Sequence, residues 1–171
     1  MDIELFLQPY VSPCGTLYLG CLPQALVLCD WKHSPHFESH LRNVALSLKG
    51  GWIEKNHPLL RRASLVLDAY FHGDRPDMGL PLLPLGTHFQ RLVWNALQTI
   101  PYGQTRTYKE LAAMLGKTKA ARAVARANAL NSLSLFIPCH RVIGQGGCLT
   151  GYAGGLSTKR YLLELEKATA T

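Results

Sequence analysis

The apolar and polar residues of the first half alternate weakly and then change to helical spacing. Residues 3–31 alternate between apolar and polar positions and are interrupted by turn formers, which predicts two or three short antiparallel strands. Apolar residues then recur every three or four positions over 36–49 and again over 58–71, and glycine follows each segment closely. These two segments predict helices, so strands precede helices in this half.

A stretch rich in proline and glycine separates the two halves of the chain. Residues 74–86 contain three prolines and two glycines, a spacing that excludes a regular helix or strand. The leucines of the same stretch indicate that it packs against something and is not a free tether. We therefore predict an N-terminal lobe over 1–86, which ends in this linker, and a C-terminal lobe over 87–171.

Capping signals divide the second half into helices. Thr87 is followed three residues later by glutamine, and Thr107 by glutamate, so each threonine is predicted to be the N-cap of a capping box. The first of these helices would end near Thr99. The second would end at Gly116, because glycine tolerates the left-handed conformation that closes a helix.

Two further helices are predicted, and one of them completes a recognisable unit. Thr118 is expected to cap a helix over 119–129, and the last helix is expected over 157–168. Two short helices joined by a glycine-containing turn form a helix-turn-helix, here 107–129. The predicted fold class is α/β (α+β), with a small N-terminal antiparallel-sheet lobe followed by a mostly helical C-terminal lobe.

The net positive charge of the chain comes entirely from the second half. The net charge is +7, yet residues 1–86 carry 7 Lys/Arg and 8 Asp/Glu, whereas residues 87–171 carry 11 and 3. A one-sided basic excess favours a polyanionic partner, most simply nucleic acid. A basic face that only maintains solubility is the alternative interpretation.

The helix predicted over 119–129 carries part of this positive charge among small side chains. Arg122 and Arg126 are four residues apart and Lys119 precedes Arg122 by three, so the three cations are expected on one face. Small residues, among them Ala121 and Ala123, would let the helix approach another surface closely. We interpret this helix as a nucleic-acid contact, although an ordinary solvated helix would show the same pattern.

The overall composition is that of an ordinary globular protein. Hydrophobic residues make up 47% and charged residues 17%. Apolar runs are far shorter than the roughly 20 residues that a spanning helix needs. The N-terminus is acidic and lacks the basic region of a signal peptide, so we expect a cytoplasmic protein without a membrane partner.

The five cysteines are expected to be reduced, since their number is odd and no export signal accompanies them. A zinc site is conceivable in the first half, but its spacings match no structural zinc pattern. We predict no metal there. The residues concerned are Cys14, Cys21, Cys29, His33 and His36.

The segment 137–142 contains a thiol, an imidazole and a guanidinium in succession. Cys139 follows Pro138 and precedes His140 and Arg141. A thiolate is the reactive form of cysteine, and a neighbouring base or cation increases its population. The segment therefore predicts an activated nucleophile, with a buried cysteine beside a surface His-Arg pair as the alternative.

Adjacency alone does not make a catalytic pair, because neighbouring side chains point in different directions. His140 would act through a tight turn or a bridging water, with a carboxylate that holds the imidazole in the required tautomer. The second half offers only Glu110, Glu164 and Glu166 for that role. Arg141 is expected to be structural or electrostatic in its effect.

Two glycine-rich segments follow the cysteine, at 144–147 and 151–155. Such segments let backbone pass close to a ligand and expose N–H donors to it. Tyr152, between glycines, is a candidate to stack on a planar group, or else an aromatic that covers a loop. Asn131, just after the basic helix, has a cap or turn as its simplest role.

Ordered motifs over about eighty residues closely resemble the O6-alkylguanine-DNA alkyltransferase family, also called methylated-DNA–protein-cysteine methyltransferases. The N-terminal half fits this family's divergent lobe only loosely. The motifs are Phe89-Gln90-x-x-Val93-Trp94, Ile100-Pro101-x-Gly103-x-Thr105, Tyr108-x-x-Leu111-Ala112, Ala121-Arg122-Ala123-Val124, Ile137-Pro138-Cys139-His140-Arg141-Val142-Ile143 and Gly151-Tyr152-Ala153-Gly154-Gly155.

The resemblance implies a suicidal DNA repair reaction without a cofactor. A monomer would bind the minor groove of duplex DNA, flip an O6-alkylguanine out of the stack and transfer the alkyl group irreversibly to Cys139. His140 would be the base acting through water, and Glu166 the carboxylate that orients it. Tyr108 would assist flipping and polarise the base, and Arg122 would be the finger that enters the vacated space. Activity on O4-alkylthymine is left open.

The same resemblance assigns the pocket and the scaffold. Asn131 would stabilise the turn that carries the site, Tyr152 would pack on the guanine, and Ala153 would give a backbone donor to O6. The backbone carbonyls of Cys139 and Val142 would bind the exocyclic amine. The N-terminal lobe would be ribonuclease H-like.

Three other functions remain as alternatives. One is a non-catalytic helix-turn-helix protein that binds DNA or recognises lesions, although related non-repairing proteins have tryptophan in place of Cys139. A Cys-His hydrolase is disfavoured because its dyad is spatial and not sequential. A redox switch between Cys139 and Cys148 is the most remote.

Overall fold

The structure is a computed structural model that describes residues 4–170. Residue 3, where the predicted strand segment begins, and residue 171 lie outside the described residues. The chain divides into two compact units, and the division falls between Leu85 and Gly86.

The first unit is built on a four-stranded sheet with the order β3-β2-β1-β4. Its strands are β1 (Leu5–Ser12), β2 (Gly15–Cys21), β3 (Leu26–Trp31) and β4 (Trp52–Glu54). The prediction of two or three short antiparallel strands is confirmed, because β1, β2 and β3 pair antiparallel. The predicted antiparallel sheet also contains one parallel pairing, because β4 pairs with β1 in parallel. β4 has three residues, all exposed, so it carries no alternation that a sequence pattern could reveal.

Two helices cover opposite faces of this sheet. Helix α1 (Phe37–Leu48) packs on the face that contains Leu5 and Leu7. Helix α2 (Pro58–His72) lies against the other face, where the hydroxyl of Tyr10 donates to Asp68 at 2.7 Å. Successive strand residues point to opposite faces, so these contacts fill both sides of the sheet.

The proline-rich segment packs within the first unit. The amide of Leu26 donates to the carbonyl of Pro81 at 2.8 Å, and the amide of Leu83 donates to the carbonyl of Leu26 at 2.8 Å. Leu80 is buried. The prediction that this segment is not a free tether is confirmed.

The second unit is mostly helical and contains one very short sheet. Both capping boxes are confirmed, at Thr87 and at Thr107. Two 3-10 turns, at Cys139–Arg141 and Gln145–Gly147, complete the unit. Its longer elements are α3 (His88–Leu97), β5 (Arg106–Thr107), α4 (Tyr108–Met114), α5 (Ala121–Ala129), β6 (Val142–Ile143) and α6 (Leu156–Thr169).

The start of α5 differs from the prediction. The helix begins at Ala121 without a side-chain cap, so Thr118 is not its N-cap and Lys119 is not part of it. The amide of Ala120 instead donates to the carbonyl of Lys117 at 2.8 Å, which forms a separate turn before the helix. Lys119 therefore does not share a helical face with Arg122.

Within the described range, no helix combines the length and apolar character that crossing a membrane requires.

Two threonine substitutions test the assignment of the helix caps, because Thr107 is an N-cap in the structure and Thr118 is not. Thr107→Ala removes the oxygen that accepts the amide of Glu110 at 3.1 Å and should lower the free energy of unfolding by about 1 kcal/mol. Thr118→Ala, at an exposed position, should change it by less than about 0.5 kcal/mol. Urea titration followed by circular dichroism measures both, and equal losses would contradict the assignment of the caps.

Candidate active site

The predicted nucleophile lies in a buried 3-10 turn. Cys139 is 3% exposed and His140 is fully buried. The amide of Arg141 donates to the carbonyl of Pro138 at 3.1 Å, and the amide of Val142 donates to the carbonyl of Cys139. The alternative of a surface His-Arg pair is therefore wrong, because both side chains are buried.

Glu166 joins the imidazole to the guanidinium. One carboxylate oxygen meets Nε2 of His140, and the other accepts from Nε of Arg141 at 2.7 Å and from the amide of Gly103 at 3.2 Å. Of the three carboxylates considered from the sequence, Glu110 is in the capping box of α4 and Glu164 is exposed. Glu166 is thus the one that the fold places beside His140.

The electrostatic environment favours a neutral imidazole. Burial lowers the pKa of His140 below its usual 6.5, while the carboxylate of Glu166 opposes that shift. The cations Arg141 and Lys159 push the pKa in the same direction as burial. A neutral ring is able to accept a proton, which a base requires.

Arg141 anchors the carboxylate. Besides its bond to Glu166, its Nη1 donates to the carbonyl of Ile100 at 2.8 Å, and the guanidinium carbon lies 5.6 Å from the centroid of the Tyr102 ring. These contacts agree with the structural and electrostatic role expected for this residue.

Lys159 is a charged member of the site that the motifs did not single out. Its side chain is fully buried, and Nζ donates to the carbonyl of Thr150 at 2.9 Å. Burial lowers its pKa from 10.5 to about 8, and the charge of Cys139 opposes this shift. Lys159, Leu162 and Glu166 are spaced three and four apart on α6, so their spacing indicated a shared inner face.

The two-residue sheet brings the start of α4 to the cysteine turn. β5 pairs with β6 in parallel, with Arg106 opposite Val142 and Thr107 opposite Ile143. Tyr108 follows β5 directly, and it is half-buried as the first residue of α4. The predicted flipping tyrosine and the predicted amine-binding carbonyl are therefore on neighbouring segments.

Two buried asparagines, one in the last turn of α5 and one just after this helix, bind backbone carbonyls of the cysteine segment. Nδ2 of Asn131 donates to the carbonyl of Ile137 at 2.9 Å, and its Oδ1 accepts the amide of Leu133 at 3.0 Å. Asn131 thus forms a local turn and a tertiary contact. Asn128, absent from the candidates named by sequence, donates from Nδ2 to the carbonyl of Cys139 at 3.3 Å.

Tyr152 and Ala153 lie on the loop between the second 3-10 turn and α6. Both are half-buried, and the amide of Gly155 donates to the carbonyl of Tyr152 at 2.9 Å. Their assignment to a base pocket stays a prediction.

The outer face of α5 is exposed and basic. Val124 and Ala127 face inward, and Nε1 of Trp94 donates to the carbonyl of Ala127 at 2.9 Å, which fixes α5 against α3. This leaves a surface of two arginines among small side chains. Its predicted contact residues are Arg122, Ala123 and Arg126, all exposed, with the half-buried Ala121 and the exposed Lys119 before the helix.

Among residues 4–170 there is no group of three His, Cys, Asp or Glu that could hold a metal ion. Cys21 and Cys29 are buried in strands.

Residues 88–168 match the family model of the 6-O-methylguanine DNA methyltransferase, DNA binding domain. Over 156 residues the chain is 52% identical to a methylated-DNA–protein-cysteine methyltransferase of Methanosarcina barkeri, covering 91% of this chain and 93% of that protein. The chain belongs to the methylated-DNA–protein-cysteine methyltransferase family. The resemblance noted in the sequence is thereby confirmed.

Other family members extend the similarity to the whole chain. A Mycobacterium leprae methyltransferase is 50% identical over 159 residues, with 91% of this chain and 88% of that one covered. The crystal structure of Mycobacterium tuberculosis O6-methylguanine methyltransferase superposes with a TM-score of 0.81 at 38% identity, covering 98% and 95% of the two chains. A structure of the Mycobacterium tuberculosis protein in complex with DNA gives 0.82, at 38% identity and 98% and 94% coverage. The α/β fold class is confirmed.

The buried lysine predicts how stability depends on pH. The unfolded chain keeps Lys159 protonated up to about 10.5, whereas the folded protein loses that proton near 8. Between these values the unfolded state binds more protons, so the lysine makes unfolding less favourable as pH rises. The free energy of unfolding of wild type, measured relative to that of Lys159→Met, should rise by at most about 3 kcal/mol as the pH rises from 8 to 10.5.

Urea titrations across this pH range measure the difference, and subtraction cancels the titrating groups that do not interact with Lys159; Cys139 and His140 do interact with it. Lys167→Met, at an exposed position of the same helix, is the control and should show a flat difference. A flat difference for Lys159→Met as well would contradict the buried charge.

Proposed function

We propose that this methyltransferase repairs O6-alkylguanine in duplex DNA by moving the alkyl group irreversibly to its own Cys139. The observation that carries the proposal is the buried arrangement of Cys139 and His140 in one turn, with Glu166 bound to the imidazole. The family membership supports the reaction class.

The chemistry begins with the thiol proton. His140, neutral because of its burial, accepts the proton of Cys139 through a water molecule, and Glu166 holds the imidazole and stabilises its charged form. The cationic Lys159 favours the resulting thiolate. These groups prepare a soft anionic nucleophile in a site from which bulk water is excluded.

The transfer is an in-line displacement at the alkyl carbon. The sulfur–carbon bond forms as the bond from that carbon to O6 breaks, and the electron pair of the broken bond stays on the guanine. Tyr108 polarises the base and the amide of Ala153 donates to O6, so that negative charge on the leaving group is stabilised. A thioether has no leaving group of its own under these conditions, so each molecule acts once.

The guanine is bound by a backbone carbonyl and by the ring of one tyrosine. Tyr152 packs on the base. The carbonyl of Cys139 already accepts bonds from Asn128 and from the amide of Val142, which leaves the carbonyl of Val142 as the candidate acceptor for the exocyclic amine. This refines the pair of carbonyls expected from the family.

DNA is bound through the helix-turn-helix. The exposed face of α5, with Arg122 and Arg126, enters the minor groove as a monomer binds. Arg122 occupies the space that the flipped base leaves, and Lys119 in the preceding turn contacts phosphate. The absence of bulky side chains at Ala121 and Ala123 allows the close approach.

The acceptor assignment predicts a stoichiometric label on one residue. A duplex with radiolabelled O6-methylguanine should transfer about one methyl group per protein to Cys139, located by peptide mass. Cys139→Ser should take up none, because a hydroxyl is a far weaker nucleophile, and Cys148→Ser, at an exposed cysteine, should be fully labelled.

Duplex binding without any label would instead support the non-catalytic alternative. A label on Cys14, Cys21, Cys29 or Cys148 would overturn the choice of nucleophile.

The finger assignment predicts a loss that depends on the substrate. Arg122→Ala should slow transfer from duplex DNA by about tenfold or more, since the flipped state loses its support. Transfer from free O6-benzylguanine should stay within about twofold of wild type, because no base has to be flipped. Arg160→Ala, an exposed arginine on α6, is the control for lost charge. Equal losses with both substrates would count against the flipping role.

A further inference from the structure

The backbone carbonyl of the nucleophile is held by a side chain of the DNA-binding helix. Asn128 is 4% exposed on the inner face of α5, and its Nδ2 donates to the carbonyl of Cys139 at 3.3 Å. The amide of Val142 donates to the same carbonyl. The peptide plane that follows the reactive residue is therefore fixed from two sides.

Stability does not account for an asparagine at this position. Oδ1 of Asn128 is buried and meets no hydrogen-bond partner within residues 4–170. An unsatisfied buried oxygen costs about 1 to 3 kcal/mol, which offsets the net gain of about 0.5 to 1.5 kcal/mol from a typical hydrogen bond. Without Asn128, the carbonyl of Cys139 would still accept the amide of Val142. What Asn128 adds is the bond to Cys139.

A second amide reinforces this connection. Asn131, three residues later, donates to the carbonyl of Ile137, two residues before the nucleophile. Trp94 holds the carbonyl of Ala127 at 2.9 Å, which anchors the same part of α5. The end of α5 and the segment 137–139 are thus joined by two side-chain hydrogen bonds, which the carbonyls of Ile137 and Cys139 accept.

On the basis of the proposed function, we propose that Asn128 is a positioning residue for alkyl transfer. By holding the carbonyl of Cys139, it fixes the backbone torsion that aims the sulfur at the alkyl carbon. An in-line displacement tolerates little misalignment, and an error of about 1 Å can cost a hundredfold in rate. The same bond connects the orientation of the Cys139 side chain to α5, the helix that carries Arg122.

The first test separates positioning from folding and DNA binding. In the 171-residue chain, Asn128→Leu removes the donor and the unsatisfied oxygen while it keeps a similar volume. The rate constant at saturating O6-benzylguanine should fall by about tenfold or more. The half-saturation concentration, the affinity for unmodified duplex and Tm should stay close to wild type. Asn95→Leu, at an exposed position of α3, should transfer at the wild-type rate.

The second test has a readout that a purely structural role would not affect. Asn128→Asp supplies a donor only when its carboxyl is protonated, and burial favours that form. The rate of Asn128→Asp relative to wild type should therefore rise as pH falls, whereas the relative rate of Asn128→Leu should not change with pH. The profile of Asn128→Asp is measured over the pH range in which its Tm stays near that of wild type, so it tests the donor even where the leucine variant fails to fold.

A wild-type rate in Asn128→Leu would overturn the inference. It is also overturned if the carboxyl introduced by Asn128→Asp titrates within the measured pH range while the relative rate stays flat, because the donor would then be irrelevant. Labelling of wild-type Cys139 is measured first: a wild type that takes no label defeats the proposed function, whereas a labelled wild type with an unaffected Asn128→Leu defeats only the role of Asn128.

Discussion

The second unit depends on one buried carboxylate that binds an imidazole and a guanidinium at the same time. Glu166 binds the imidazole of His140 with one oxygen and the guanidinium of Arg141 with the other. A buried carboxylate without partners would be very costly, and a carboxylate bound only to His140 would favour the charged imidazole. Because Arg141 shares the negative charge, Glu166 can orient His140 while burial keeps the ring neutral.

Helix α6 contributes a buried lysine and a buried glutamate to the surroundings of Cys139 and His140. Lys159 and Glu166 lie on its inner face, seven residues apart, so two turns of helix separate them. Lys159 interacts electrostatically with Cys139, and Glu166 binds the imidazole of His140. In the proposed reaction the lysine favours the thiolate and the glutamate orients the base. A helix at the C-terminal end of the described chain is thus as much a part of the proposed reaction centre as the cysteine segment.

Much of this arrangement could be predicted from local sequence signals. The two capping boxes are visible because a threonine and a residue three positions later bond to each other's backbone. Glu166 could be proposed because the second half contains only three carboxylates. Cys139 stood out through its neighbours and through the family motifs.

The remaining features depend on tertiary contacts that no local pattern encodes. β4, β5 and β6 have two or three residues each, too few for a period to show. Thr118 was misassigned because the chain makes a separate turn before α5. Asn128 and Lys159 bond to carbonyls that lie 11 and 9 residues away, and nothing in their immediate neighbours indicates those partners.

The pairing of β5 with β6 also has a geometric consequence. Arg106 lies opposite Val142, so two residues on each side set the position of the tyrosine after β5 relative to the cysteine before β6. A register slip of one residue would displace Tyr108 by about 3.3 Å along the strand. That is several times the misalignment of about 1 Å that already costs a hundredfold in rate. In the proposed reaction, this two-residue pairing therefore determines how accurately Tyr108 is placed relative to the cysteine segment.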